Sequence, residues 1–149
     1  MQNYARRTRA CLLIFTILFA STVCLGKPAL PNPVLIFTGV EYLTVNGVVM
    51  SRYHFDVFNK DAYPAEMFAA SPSLPPCGSN TKAARTWVDI FDQSGKRLYG
   101  FCALGKPENL DGIYFSLPSD VLPPSWIYIE MNDRQTNTKY KSNLVETVM

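Results

Sequence analysis

VLIFTGVEYLTVNGVVMSRYHFDVFN, residues Val34–Asn59, sets Asn46-Gly47 between two runs rich in β-branched and aromatic residues. An Asn-Gly pair in that setting is the strongest short-range signal of a β-hairpin. A two-residue turn fixes the register, with Val45 opposite Val48, Leu43 opposite Met50 and Glu41 opposite Arg52. The last is a favourable cross-strand charge pair. Alternation along the second run sends Tyr53, Phe55 and Val57 to one face and His54 and Asp56 to the other. The first set is the expected core face.

The pattern repeats downstream. Thr86–Phe91 and Arg97–Leu104 flank Asp92-Gln93-Ser94-Gly95, which reads as a second hairpin with Gly95 in the left-handed conformation and Asp92 opposite Lys96. Carried inward, that register pairs Ile90 with Leu98, Val88 with Gly100 and Thr86 with Cys102, an apolar face that carries the cysteine. The other face then collects Trp87, Asp89, Phe91, Arg97, Tyr99 and Phe101. Gly112–Leu117 is a short strand with Ile113, Phe115 and Leu117 inward. Trp126–Met131 alternates Ile127, Ile129 and Met131 against Trp126, Tyr128 and Glu130, and a turn near Asp133–Thr138 returns the chain as Lys139–Val145. The prolines fall between these runs, where a missing N–H is tolerated. About seven short strands at this spacing predict an all-β fold, an antiparallel sandwich of two sheets.

One segment breaks the rhythm. Lys60–Ala84 is too long for an ordinary connection, and such loops are functional or disordered. Tyr63, Pro64, Met67, Phe68, Leu74, Pro75 and Pro76 argue against disorder, and Ala65–Ala70 reads as a single helical turn. The segment is either a recognition loop or a cap on the open edge of the sandwich.

The N-terminus bears on compartment. Arg6, Arg7 and Arg9 precede the apolar run Cys11–Leu25, which closes at Gly26-Lys27-Pro28. That is the layout of a secretory signal peptide over residues 1–26, leaving a single domain over 27–149 in the periplasm or secreted. The run is short of the about 20 residues a membrane anchor needs. Val23 before Cys24 does not suit a lipoprotein signal, and Thr8-Arg9 does not suit a twin-arginine one. Without the three arginines, eleven Lys and Arg face twelve Asp and Glu. Clustered basic charge for nucleic acid or an anionic membrane is therefore missing. Cleavage would also remove Cys11 and Cys24, so Cys77 and Cys102 are expected to form a disulfide in an oxidising compartment, tethering the long segment to the second hairpin.

Three stretches, PPCGSN at Pro75–Asn80, RTWVDI at Arg85–Ile90 and WIYIEMNDRQTNTKYKSN at Trp126–Asn143, resemble the uncharacterised secreted β-proteins of bacteria, of immunoglobulin-like or fibronectin type III-like fold. The resemblance implies an architecture across most of Pro31–Val145, and such folds host many functions. The chain departs from antibody domains in having no inter-sheet cysteine pair, and Trp87 in the role of their tryptophan would bury Asp89.

Catalysis finds little footing. His54 is the only imidazole, there is no Gly-x-Ser-x-Gly elbow, and carboxylate pairs such as Glu130 with Asp133 or Asp89 with Asp92 occur on any soluble surface. No catalytic, cofactor or metal residues are assigned; His54, Met50 and Met67 share no ligand spacing. The candidate binding surface is Tyr63, Phe68, Leu74, Trp87, Tyr99 and Phe101, the loop and the aromatic strip acting together, with Trp126 and Tyr128 on a neighbouring strand. The expected function is an exported, non-catalytic module recognising an envelope or secreted protein. A carbohydrate-binding module using the aromatics is the alternative, and a small exported hydrolase a distant third. The oligomeric state is left open.

Overall fold

A computed structural model describes residues 29–77 and 83–147. The reading of residues 1–26 as a signal peptide lies outside the described residues. Eight strands form two antiparallel sheets: β1 (Leu35–Val45), β2 (Val48–Val57), β3 (Thr86–Asp92), β4 (Arg97–Ala103), β5 (Ile113–Pro118), β6 (Trp126–Asp133), β7 (Thr138–Lys141) and β8 (Val145–Glu146). The small sheet runs β1-β2-β5. The large one runs β4-β3-β6-β7, and β8 also pairs with β6. The count is one above the expected seven because the final run is split: Ser142 bonds back to Ile129 and interrupts it.

The first hairpin has the expected register, Val45↔Val48, Leu43↔Met50 and Glu41↔Arg52. Asn46 (φ 51°) and Gly47 (φ 81°) both adopt positive φ, as a tight two-residue turn requires. Asn143 secures the other end of β1: its amide accepts from the Leu35 N–H at 2.8 Å and donates to the Leu35 carbonyl at 3.0 Å.

The core lies between the sheets. Tyr53, Phe55, Val57, Ile113 and Phe115 face Val88, Ile90, Ile127, Ile129 and Met131, all buried. Each fully buried side chain of this size stabilises the fold by about 1.5–3 kcal/mol.

The second hairpin corrects the sequence reading. Its turn closes as expected, with the Asp92 N–H on the Lys96 carbonyl and the Asp92 carboxylate accepting from Ser94 and the Lys96 N–H. Beyond it the register shifts between Ile90 and Phe91: Phe91 pairs with Arg97 but Ile90 with Tyr99, leaving Leu98 as an extra residue. A bulge of one residue turns over every side chain beyond it. Thr86 therefore faces Ala103, Val88 faces Phe101, and Trp87 faces Cys102. Tyr99 and Phe101 belong to the inward side of β4, and Trp87 and the cysteine to the outward side.

The long segment is part of the core. Tyr63, Met67 and Phe68 are buried in it, the last two from the 3₁₀ turn Ala65–Phe68. The buried Thr86 hydroxyl donates to the Met67 carbonyl at 2.6 Å, and the Gly105 N–H to the Phe68 carbonyl at 2.7 Å. Cys77 and Cys102 form the expected disulfide, Cα atoms 5.9 Å apart. Arg134 fixes the segment's far part: its guanidinium donates to the Pro75 carbonyl (2.8 Å), the Ala84 carbonyl (2.9 Å) and Cys77 Sγ (3.0 Å).

Candidate functional site

The six residues singled out from sequence do not form one surface. Tyr63 and Phe68 are buried: the Tyr63 ring packs edge-on to Tyr140 and its hydroxyl donates to the Pro31 carbonyl, while Phe68 has no accessible surface. Both are core residues, because an apolar loop gains more by filling the end of the sandwich than by facing water. Leu74 is half-buried in a turn closed by its N–H on the Ser71 carbonyl.

Trp87 lies on the outer face of the large sheet, in line with Tyr128 and Trp126 of β6 by alternation. It is half-covered by Arg97, whose guanidinium carbon sits 5.4 Å from the ring centre and whose Nε donates to Asp89. Gly100 makes this possible, since a Cβ there would run into Arg97, Asp89 and Trp87. Asp89 stands opposite Glu130, a like-charge pair neutralised by Arg97 on one side and by Lys139 at 2.7 Å on the other. Lys141, 4.0 Å over the Tyr128 ring, adds a third cation to this face.

Tyr99 and Phe101 lead elsewhere. Strands β4 and β5 are the edge strands of their sheets on the same side of the sandwich, and a cleft of about 250 Å³ opens between them. Tyr99, Phe101, Asn109, Gly112, Ile113 and Tyr114 line it. Tyr99 stacks on Tyr114 at 6.3 Å and 16°, and on Phe101 at 6.4 Å and 23°. Tyr99 is 46% and Tyr114 39% exposed. Arg52 lies with its guanidinium carbon 4.5 Å from the centre of the Tyr114 ring, and the His54 ring is 5.8 Å from it. Arg52 and His54 both reach Glu41 Oε2 at 3.3 Å, so a short polar row lies beside Tyr114. At the floor, the Asn109 amide donates to the Leu104 carbonyl and the Gly112 N–H donates to Asp56 at 2.7 Å.

Sequence reasoning missed Tyr114. Its outward position follows from the alternation of Ile113, Phe115 and Leu117, but its meeting with Tyr99 depends on β4 and β5 being facing edges, which no local pattern reveals. Arg134 was missed as well, one more charge in a polar turn.

A second hollow, of about 290 Å³, is lined by Leu30, Glu66, Arg85, Asp133, Thr136 and Tyr140 among others. Its principal charged groups satisfy one another: Arg85 donates to both Asp133 oxygens, at 2.9 and 2.7 Å. Burial alone would raise the Asp133 carboxyl, but the hydrogen bonds from Arg85, Thr136 and the Gln135 N–H outweigh it and hold the group below its usual range. Burial pushes the Tyr63 phenol well above its ordinary value. No cluster of three or more potential metal ligands occurs among the described residues, and no described helix is long and apolar enough to cross a membrane.

Comparison with protein-family models, with curated proteins and with solved structures returned no match.

Proposed function

We propose that this chain is an exported, non-catalytic binding module that recognises an envelope or secreted protein partner through the cleft between β4 and β5. The observation that carries the reading is the continuous stack of Phe101, Tyr99 and Tyr114, two of whose rings are well exposed. Rigid aromatic rings on strands offer large contact area at little entropic cost, which is what anchors a protein interface. Two of the cleft's donors, an Asn109 amide N–H and the Gly112 N–H, are already engaged inside the fold. A sugar would draw on the Tyr99 and Tyr114 hydroxyls and Asn109 Oδ1, whereas a protein partner can use the apolar ring faces directly.

Export rests on the character of residues 1–26, and the Cys77–Cys102 disulfide is compatible with it. The strand order, β1-β2-β5 against β4-β3-β6-β7, supports an immunoglobulin-like or fibronectin type III-like relationship, where Greek-key connections likewise carry the chain between two sheets. His54, the single imidazole, is engaged with Glu41 on the outside of the small sheet.

Panning of a displayed peptide library against the folded protein, beside a glycan array, tests the reading. Peptides whose capture is lost in Tyr99→Ala are expected. Glycan binding lost in the same variant would instead support the carbohydrate alternative.

A further inference from the structure

Strand β1 is an edge of the small sheet, and no described strand pairs with its outer side. In the hairpin turn the Val45 carbonyl and the Val48 N–H form the closing bond, and antiparallel pairing alternates bonded with non-bonded residues. Leu43 and Glu41 thus turn their backbone groups to β2, while Val40, Tyr42 and Thr44 turn theirs outward. Asn143 bonds this edge at Leu35 and β8 lies close to β1, but among the described residues nothing bonds to the outward groups of Val40, Tyr42 and Thr44.

The other edges are guarded by the devices natural sheets use against pairing. Strand β4 carries the bulge at Leu98 and Arg97, β5 ends in Pro118, and β7 is four residues long with Lys139 and Lys141. Val40–Val45 lies past the irregularity at Phe37/Gly39, holds one charge, and has neither proline nor lysine. Around it the hairpin tip is bare: Tyr42 is 70% exposed, and Val45, Val48 and Val49 are about half exposed.

We propose that a second copy of this chain covers this edge, the two β1 strands pairing antiparallel about a two-fold axis at Tyr42. The outward groups are self-complementary in that register: Tyr42 bonds Tyr42 of the second copy, and Val40 bonds Thr44. Charge and ladder length select it over its two neighbours. An axis at Glu41 sets two carboxylates face to face, and an axis at Leu43 runs Val40 against the turn residue Asn46, whereas the axis at Tyr42 places each Glu41 opposite Leu43. The contact is isologous and closes as a dimer. It joins two three-stranded sheets into one, and it stands independently of the aromatic cleft.

Sedimentation analysis of the full chain, processed as its host processes it, tests this together with residue-resolved hydrogen exchange. Concentration-dependent dimers with protected Val40, Tyr42 and Thr44 amides are expected. Thr44→Pro, which removes an outward N–H, and Tyr42→Lys should both give folded monomers. If Thr44→Pro fails to fold, Tyr42→Lys decides alone. The proposal is overturned by a monomer at every concentration, by a dimer in which those three amides exchange freely, or by a Tyr42→Lys dimer of unchanged affinity. A monomer that co-sediments with phosphatidylcholine vesicles overturns it too, identifying a lipid surface as the occupant.

Discussion

Tyr99 and Tyr114 belong to different sheets, yet their rings stack 6.3 Å apart and 16° from parallel. Tyr99 starts from the inward side of β4 and Tyr114 from the outward side of β5, paired with His54. They meet because the two strands are facing edges. The bulge at Leu98 decides this: without it, Tyr99 would point to the outer face beside Trp87.

Phe68→Ala should destabilise the protein by about 3–5 kcal/mol, the usual cost of removing a buried aromatic ring. Trp87→Ala, half-covered on an outer face, should cost far less. Denaturant unfolding of the two variants side by side checks the contrast, and equal losses would argue against the core assignment of the long segment.

Arg134→Ala removes charge-assisted hydrogen bonds to two carbonyls at 2.8 and 2.9 Å. Each such bond contributes about 1.5–3 kcal/mol, so a loss of at least about 2 kcal/mol is expected by chemical denaturation. Faster hydrogen exchange at Ser71 and Arg85, whose N–H groups bond across the segment's base, should accompany it.

Asp133 links stability to pH. Its carboxyl is held below the usual range in the folded protein, so its stabilising effect is complete above the unfolded value of about 4 and fades as pH falls through the folded value. Asp133→Asn should cost about 3 kcal/mol at neutral pH, because it leaves Arg85 without its partner. The gap between variant and wild type should narrow steadily below about pH 4. Thermal melts from pH 7 to pH 2 measure it, and a gap independent of pH would show that the pair does not act this way.

Gly47→Val places a β-branched residue at φ 81°. A loss of more than about 1 kcal/mol is expected, and an unchanged denaturation midpoint would count against the turn as the determinant of the β1–β2 register.

What was legible in the sequence follows from the range over which each signal acts. Asn46-Gly47 fixed a register because both determinants, turn and alternation, are local. The disulfide was expected from the two cysteines left when residues 1–26 are read as a signal peptide, and it is present. The second hairpin misled at one residue: nothing in Arg97-Leu98-Tyr99 marks Leu98 as extra, and that one step moved Tyr99, Phe101 and Cys102 to new faces. Tyr63 and Phe68 were rightly read as ordered. Whether they cover a core or present a surface depends on the open end of a sandwich assembled from residues as distant as Tyr140, against which Tyr63 packs, beyond any local pattern.

The affinity of a peptide selected on the folded protein, measured in parallel for wild type, Tyr99→Ala, Tyr114→Ala and Trp87→Ala, tests the cleft most directly. Losses of about tenfold or more are expected for both tyrosine variants, with Trp87→Ala unchanged and all four proteins unfolding cooperatively. Full affinity in Tyr99→Ala and Tyr114→Ala, with loss in Trp87→Ala, would contradict the cleft and move the contact to the outer face of the large sheet.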